Sequence, residues 1–208
     1  MPPSLKTSLV FQQAIAEHLS VIQALSAQQP VFERIAGEMT RAIFAGNKVL
    51  WCGNGGSAAD SQHMAAELVG RFRRERRGLK SIALTTDTSL LTSIGNDYGF
   101  EKVFQRQVEA LCSEGDVVVG ISTSGNSKNV CAALDAARRL NAFTVAFTGQ
   151  DGGKLAEIAD ATLRIASKET ARIQEGHTLC GHILCDWVEL SVCERDSAAP
   201  QSPPPQSP

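Results

Sequence analysis

Apolar positions change their spacing along this chain. From Leu9 to Ile43 they recur at helical intervals, first Leu9, Ile15, Leu19, Ile22 and Leu25, then Phe32, Ile35, Met39 and Ile43. Two helices are predicted, the second stopped by Gly46-Asn47. Beyond this point, short unbroken apolar runs alternate with longer periodic ones. KVLWCG, SIALTT, DVVVGIST, FTVAFTG and ATLRIA read as five strands. SAADSQHMAAELVGRF and SKNVCAALDAARRL read as helices, as does a region reaching about Leu111 that Gly95-Asn96 interrupts. A short helix is expected near Lys154–Ala159 and a last one from about Thr170 to Glu194. Strands that are apolar throughout are covered on both faces, and strands separated by helices pair in parallel. The predicted fold is therefore α/β: a five-stranded parallel sheet flanked by helices on both faces, in three layers, with the two N-terminal helices added.

The folded domain is expected to span residues 1–195. The last stretch, 196–208, is DSAAPQSPPPQSP, which has too little apolar surface to bury and is expected to be disordered. The formal net charge of −2 argues against a general affinity for nucleic acid or anionic membrane. No apolar run is long enough to span a bilayer. MPPSLKTSLVFQQ lacks a charged leader followed by an apolar core, so the protein is expected in the cytoplasm. Six cysteines without a Cys-x-x-Cys pair are expected to be buried thiols.

In parallel sheets, ligands gather beyond the carboxyl ends of the strands. Gly53-Asn54-Gly55-Gly56-Ser57 follows the first strand and opens a helix. Its glycines let backbone N–H groups approach an anion, the helix end adds partial positive charge, and Ser57 can cap the helix or donate to a phosphate oxygen. A plain strand–helix turn would read the same way. Gly53, Gly55 and Ala58 also fit a dinucleotide fingerprint, but no acid stands at the end of the second strand with the required spacing. Ser122-Thr123-Ser124-Gly125-Asn126-Ser127 follows the third strand and opens another helix. Its four hydroxyls suit a compact phosphate monoester, and without a P-loop lysine a nucleoside triphosphate is not expected.

KVLWCGNGGSAAD together with GISTSGNS resembles the sugar isomerase (SIS) family of phosphosugar-binding proteins. HMAAELVGRF, IGNDYGF and RIQEGHTLCGH make the chain similar to the phosphoheptose isomerases within it. That resemblance covers about residues 10–195. It implies conversion of sedoheptulose 7-phosphate to D-glycero-D-manno-heptose 7-phosphate through an enediol, the first step of bacterial ADP-heptose and lipopolysaccharide core synthesis. It also implies a homotetramer with active sites at subunit interfaces. Non-catalytic SIS proteins, one of them associated with replication initiation, are the alternative; the presence of Glu67 and His182 favours the enzyme.

His63 and Glu67 stand four residues apart and so face the same way on one helix. Spacing alone would equally allow a surface pair. The resemblance assigns a divalent ion, typically zinc, to His63, Glu67, Gln174 and His182, and makes Glu67 and His182 the catalytic proton carriers. Gln174 and His182 lie about 12 Å apart along a straight helix and roughly 80° apart around it, which is awkward for one ion. Either Gln174 precedes the helix, or different chains supply the ligands. Substrate contacts are expected from Asn54, Gly55, Gly56, Ser57, Glu67, Ser122, Thr123, Ser124, Ser127 and Gln174. Arg71 and Asp97 join them by resemblance alone; Asp97 could equally form an Asx turn. Asp60 is a further hydroxyl contact. Ala171 stands where some relatives carry an aspartate. His177 is expected as a capping or core histidine, and the run Arg71–Arg77 as a solvated helix end.

Overall fold

A computed structural model describes residues 5–198. Helices α1 (Leu5–Ala24) and α2 (Gln29–Phe44) precede β1 (Val49–Gly53), α3 (Gly56–Val69), β2 (Ser81–Ala83), α4 (Thr88–Tyr98) and α5 (Gln105–Leu111). Then follow β3 (Val117–Ser122), α6 (Lys128–Arg139), β4 (Phe143–Thr148), α7 (Gly153–Ile158), β5 (Ala161–Arg164) and α8 (Thr170–Ala198). The five strands form one sheet in the order β2-β1-β3-β4-β5. All pairs are parallel; Val49 lies opposite both Ser81 and Val117, and Val117 opposite Phe143. The predicted fold class stands.

Alternate residues of each strand enter opposite cores. Val49, Trp51, Val119 and Phe147 pack with α2, α3 and α8, while Leu50, Cys52, Val118 and Ala146 pack with the layer of α4–α7. Because both faces are covered, the strands show no polar alternation in sequence. Trp51 satisfies its buried indole N–H on the Ser81 hydroxyl at 2.9 Å and meets Phe147 edge-on, tying β1 to β2 and β4.

Several boundaries differ from expectation. Gly95 and Asn96 remain helical within α4, which the Asp87 carboxylate caps by accepting the Leu90 N–H; the chain turns instead at Gly99, at φ 86°. Helix α3 stops at Val69 rather than Phe72, because the following segment is drawn toward α8. Helix α8 runs three residues past the expected boundary at 195, and the remainder of the expected tail, 199–208, lies outside the described residues. In α1, the periodic residues Leu9, Ile15 and Leu19 are exposed rather than buried, so this stripe faces away from the chain's own core. Cys52, Cys131, Cys180 and Cys185 are buried as expected, and Cys112 and Cys193 only partly. Burial pushes the thiols of Cys52, Cys180 and Cys185 up to about 12. No helix among the described residues is long and apolar enough to cross a membrane.

Candidate active site

Strands β1 and β3 are neighbours at the place where the strand order reverses, so their carboxyl-end loops flank one crevice. In the first loop, Ser57 is buried, and its N–H bonds the Asn54 carbonyl at 3.0 Å. The cap position of α3 falls on Gly55, so the Ser57 hydroxyl does not cap the helix. The Asn54 side chain forms a reciprocal amide pair with Asn129 of α6, at 2.9 and 2.8 Å, which locks the first loop to the helix that the second loop opens. Asn129 went unnoticed in the sequence, although it follows the serine loop directly.

In the second loop the Ser122 Oγ lies 2.8 Å from the Ser127 Oγ and 3.4 Å from the Ser124 Oγ. Three of the expected hydroxyls thus converge, while half-buried Thr123 uses its carbonyl to accept the Gly149 N–H. The loop requires glycine at 125: φ is +67°, and a Cβ there would meet the Gly152 carbonyl oxygen at 2.0 Å. A cavity of about 280 Å³ lined by Thr123, Ser124, Asn126 and Lys168 adjoins this loop, and one of about 140 Å³ lined by Asn54, Gly55 and Thr85 adjoins the first. A larger cavity of about 600 Å³ opens at the amino ends of β3 and β4, beside Arg34, Arg138 and Asn141, away from both loops.

Two helical turns into α3, His63 Nε2 lies 3.0 Å from Glu67 Oε1 and 3.4 Å from His182 Nε2. Ligand atoms of His63, Glu67 and His182 all fall within 4.8 Å of one another. Hydrogen bonds alone satisfy this group poorly. An ionised Glu67 needs the His63 Nε2 proton, which leaves the His182 nitrogen facing a donor already in use. Two imidazoles and a carboxylate that converge in this way fit a divalent transition-metal ion. Phe72 stacks on the His182 ring at 5.2 Å between centroids and 19° between planes. Asp60, between the first loop and this cluster, accepts the Thr178 hydroxyl at 2.8 Å. Burial pushes its carboxyl up, opposed by Thr178 and the two nearby histidines.

Not every expected residue joins this group. Gln174 lies inside α8, and its amide packs against Gly56, where a Cβ would come within 2.3 Å of Nε2. It therefore sits beside the first loop, about two turns of α3 short of His63. Arg71 is exposed, with Glu75 at 3.8 Å from its guanidinium. Asp97 is exposed and helical, and accepts the Asn96 amide at 2.8 Å rather than forming a turn. His177 is a core residue: its Nε2–H donates to the Thr148 carbonyl at 3.1 Å, its Nδ1 has no partner, and burial depresses its pKa to about 4.

The expectation of a solvated arginine run needs correction. Arg76 is buried, and its guanidinium donates to the carbonyls of Glu67, Leu68, Gly70 and Arg77. It also lies 3.3 Å from the fully buried carboxylate of Glu189. Glu189 in turn accepts the backbone N–H groups of Phe72, Arg73 and Arg74, each at 2.8 Å. A basic run that closes a helix gives no sequence signal for such a clamp, because its partner stands more than a hundred residues away.

A glycine-rich and a serine-rich loop at the switch point of a parallel sheet, beside a histidine–carboxylate cluster, give this α/β fold the layout of a small-molecule enzyme. Residues 11–149 match the SIS domain family. The phosphoheptose isomerase of Aquifex aeolicus is 57% identical over 190 residues, which cover 91% of this chain and 98% of that one. The solved phosphoheptose isomerase of Neisseria gonorrhoeae is 44% identical with a TM-score of 0.83, covering 90% of this chain and all of that one. That of Francisella tularensis is 38% identical with a TM-score of 0.82, covering 89% and 97%. The chain belongs to the SIS domain family and, within it, to the phosphoheptose isomerases, and is an isomerase enzyme.

Proposed function

We propose that the protein converts sedoheptulose 7-phosphate into D-glycero-D-manno-heptose 7-phosphate, in the bacterial cytoplasm, as the step that opens ADP-heptose synthesis for lipopolysaccharide. The observation that carries this reading is the convergence of His63 and Glu67, on the helix that opens at the first anion loop, with His182 of α8. From Ser57 to Glu67 that helix rises about 15 Å, so the phosphate end and the reacting end of one sugar can be held along it.

The hydroxyls of Ser122, Ser124 and Ser127, with Thr123 and the N–H groups of the Gly55–Ser57 turn, hold the phosphate. Asn54, Asp60 and Gln174 face the sugar between the two ends, with Arg71 and Asp97 as outer contacts. Glu67 removes a proton from C1, next to the ketone at C2, giving an enediol, and the proton returns to C2. His182 passes a proton between the two oxygens. The residues fit zinc, which His63, Glu67 and His182 would hold, with Gln174, supplied by another subunit, as the further ligand that the resemblance implies; it would polarise the carbonyl. Glu67 would have to be a weak ligand to remain free to move a proton. The exposed apolar residues Leu9, Ile15 and Leu19 of α1 and Ile183, Trp187 and Leu190 of α8 support assembly into a homotetramer.

The test is conversion of sedoheptulose 7-phosphate by the purified protein, followed by NMR, with unphosphorylated sedoheptulose as the comparison. The expected result is turnover of the phosphate ester and little of the free sugar. A protein inert toward both would contradict the proposal.

A further inference from the structure

The buried clamp on the arginine run adjoins the site and touches it through the Glu67 backbone. Glu189 stands two helical turns after His182, on the same side of α8. Its carboxylate fixes the backbone of Phe72, Arg73 and Arg74 through three N–H bonds of 2.8 Å. Arg76 completes the grip: it pairs with Glu189 at 3.3 Å and closes the end of α3 by donating to the carbonyl of Glu67 itself at 2.8 Å. The segment is therefore tied both to the helix that carries His182 and to the residue proposed as the proton carrier. What it delivers is the Phe72 ring, laid on one face of the His182 imidazole at 5.2 Å and 19°. His182 also meets the His63 ring, at 4.9 Å between centroids and 83° between planes, with the two Nε2 atoms 3.4 Å apart.

An imidazole turns freely about its outer side-chain torsion unless neighbours restrain it. Its Nδ1 makes no hydrogen bond to any of the described residues, so a partner on that nitrogen does not set the ring plane. We infer that Phe72 is a positioning residue for His182: its ring, held in place by Glu189 and Arg76, fixes the imidazole plane so that Nε2 faces His63 and Glu67. The inference rests on the proposed function for its readout, since orientation matters only if His182 acts there.

The test compares Phe72→Leu, which keeps apolar bulk but loses the planar face, with Phe72→Tyr, which keeps the ring. Four quantities are read: kcat and KM for sedoheptulose 7-phosphate, the zinc dissociation constant by competition with a chromophoric chelator, and the thermal midpoint. Supports around a metal-binding histidine typically change affinity or activity by roughly 10–100-fold. Phe72→Leu is expected to lower kcat and weaken zinc by about that factor. Its KM and thermal midpoint should stay near those of the wild type, and Phe72→Tyr should retain wild-type values. Wild-type kcat and zinc affinity in Phe72→Leu would overturn the inference, as would equal losses in both variants. A wild-type protein that neither turns over the substrate nor binds zinc would instead defeat the functional proposal.

Discussion

Replacing Glu189 by Gln tests the clamp through stability. The wild-type carboxylate is fully buried, with three backbone N–H donors and the Arg76 guanidinium around it. Glutamine keeps the shape and one acceptor oxygen, but its NH₂ must then face donors and Arg76 loses its counter-charge. Breaking one side of a buried, hydrogen-bonded pair costs about 3–5 kcal/mol. Taking about 3 kcal/mol because one acceptor survives, and 2–4 °C per kcal/mol for a chain of this size, the melting midpoint should fall by roughly 6–12 °C. The fall should depend on pH. Burial pushes the Glu189 carboxyl up, but the N–H groups of Arg73, Phe72 and Arg74 and the charge of Arg76 outweigh it and hold the folded value below the usual range. A carboxylate depressed in the folded state stabilises above its unfolded pKa of about 4.3 and loses that contribution as pH falls through the lower folded value. The gap between wild type and variant should therefore be full at neutral pH and narrow in acid. Calorimetry at matched protein concentration, at neutral and acid pH, measures it. A variant melting within about 2 °C of wild type at neutral pH would refute the account of Glu189 as a charged anchor.

His177 and the metal supply the remaining predictions. The His177 imidazole is held near 4 by burial against about 6.5 when unfolded, so it stabilises fully above 6.5 and progressively less as pH falls toward 4. Between pH 7.5 and 5, wild type should lose more stability in urea titrations than His177→Gln; equal losses would show that this histidine is not kept neutral by the fold. Exhaustive chelation should slow isomerisation and added zinc should restore it, whereas unchanged turnover by metal-free protein would remove the ion from the mechanism.

The sheet was legible in the sequence because its strands are buried on both faces and punctuated by polar, glycine-rich turns. The two loops at its carboxyl ends were legible for the same reason: each follows such a strand and opens a helix. The His63–Glu67 pair was visible through helical spacing, but its meeting with His182 depends on how α3 packs on α8, which no local pattern encodes. Gln174 shows the limit from the other side. Its place in the motif is plain, yet packing sets its amide against Gly56, at the start of α3. Gly95-Asn96 misled because helix-breaking residues were weighed without the Asp87 cap that starts α4. The arginine run misled because charge reads as exposure until a buried partner is known, and Glu189 is indistinguishable in sequence from any helical glutamate. The apolar stripe of α1 predicts a helix but not what covers it; Leu9, Ile15 and Leu19 face away from the chain's own core.

Solvent deuterium reports the proposed chemistry most directly. Wild type and Glu67→Gln are each incubated with sedoheptulose 7-phosphate in D₂O, with binding checked by calorimetry and C1 and C2 followed by NMR. Wild type should form the aldose, with deuterium at C2 to the extent that the proton held on Glu67 exchanges with solvent, while Glu67→Gln binds the sugar phosphate but forms no product and exchanges no proton at C1 or C2. Product formation or exchange in Glu67→Gln at the wild-type rate would contradict proton transfer through the Glu67 carboxylate.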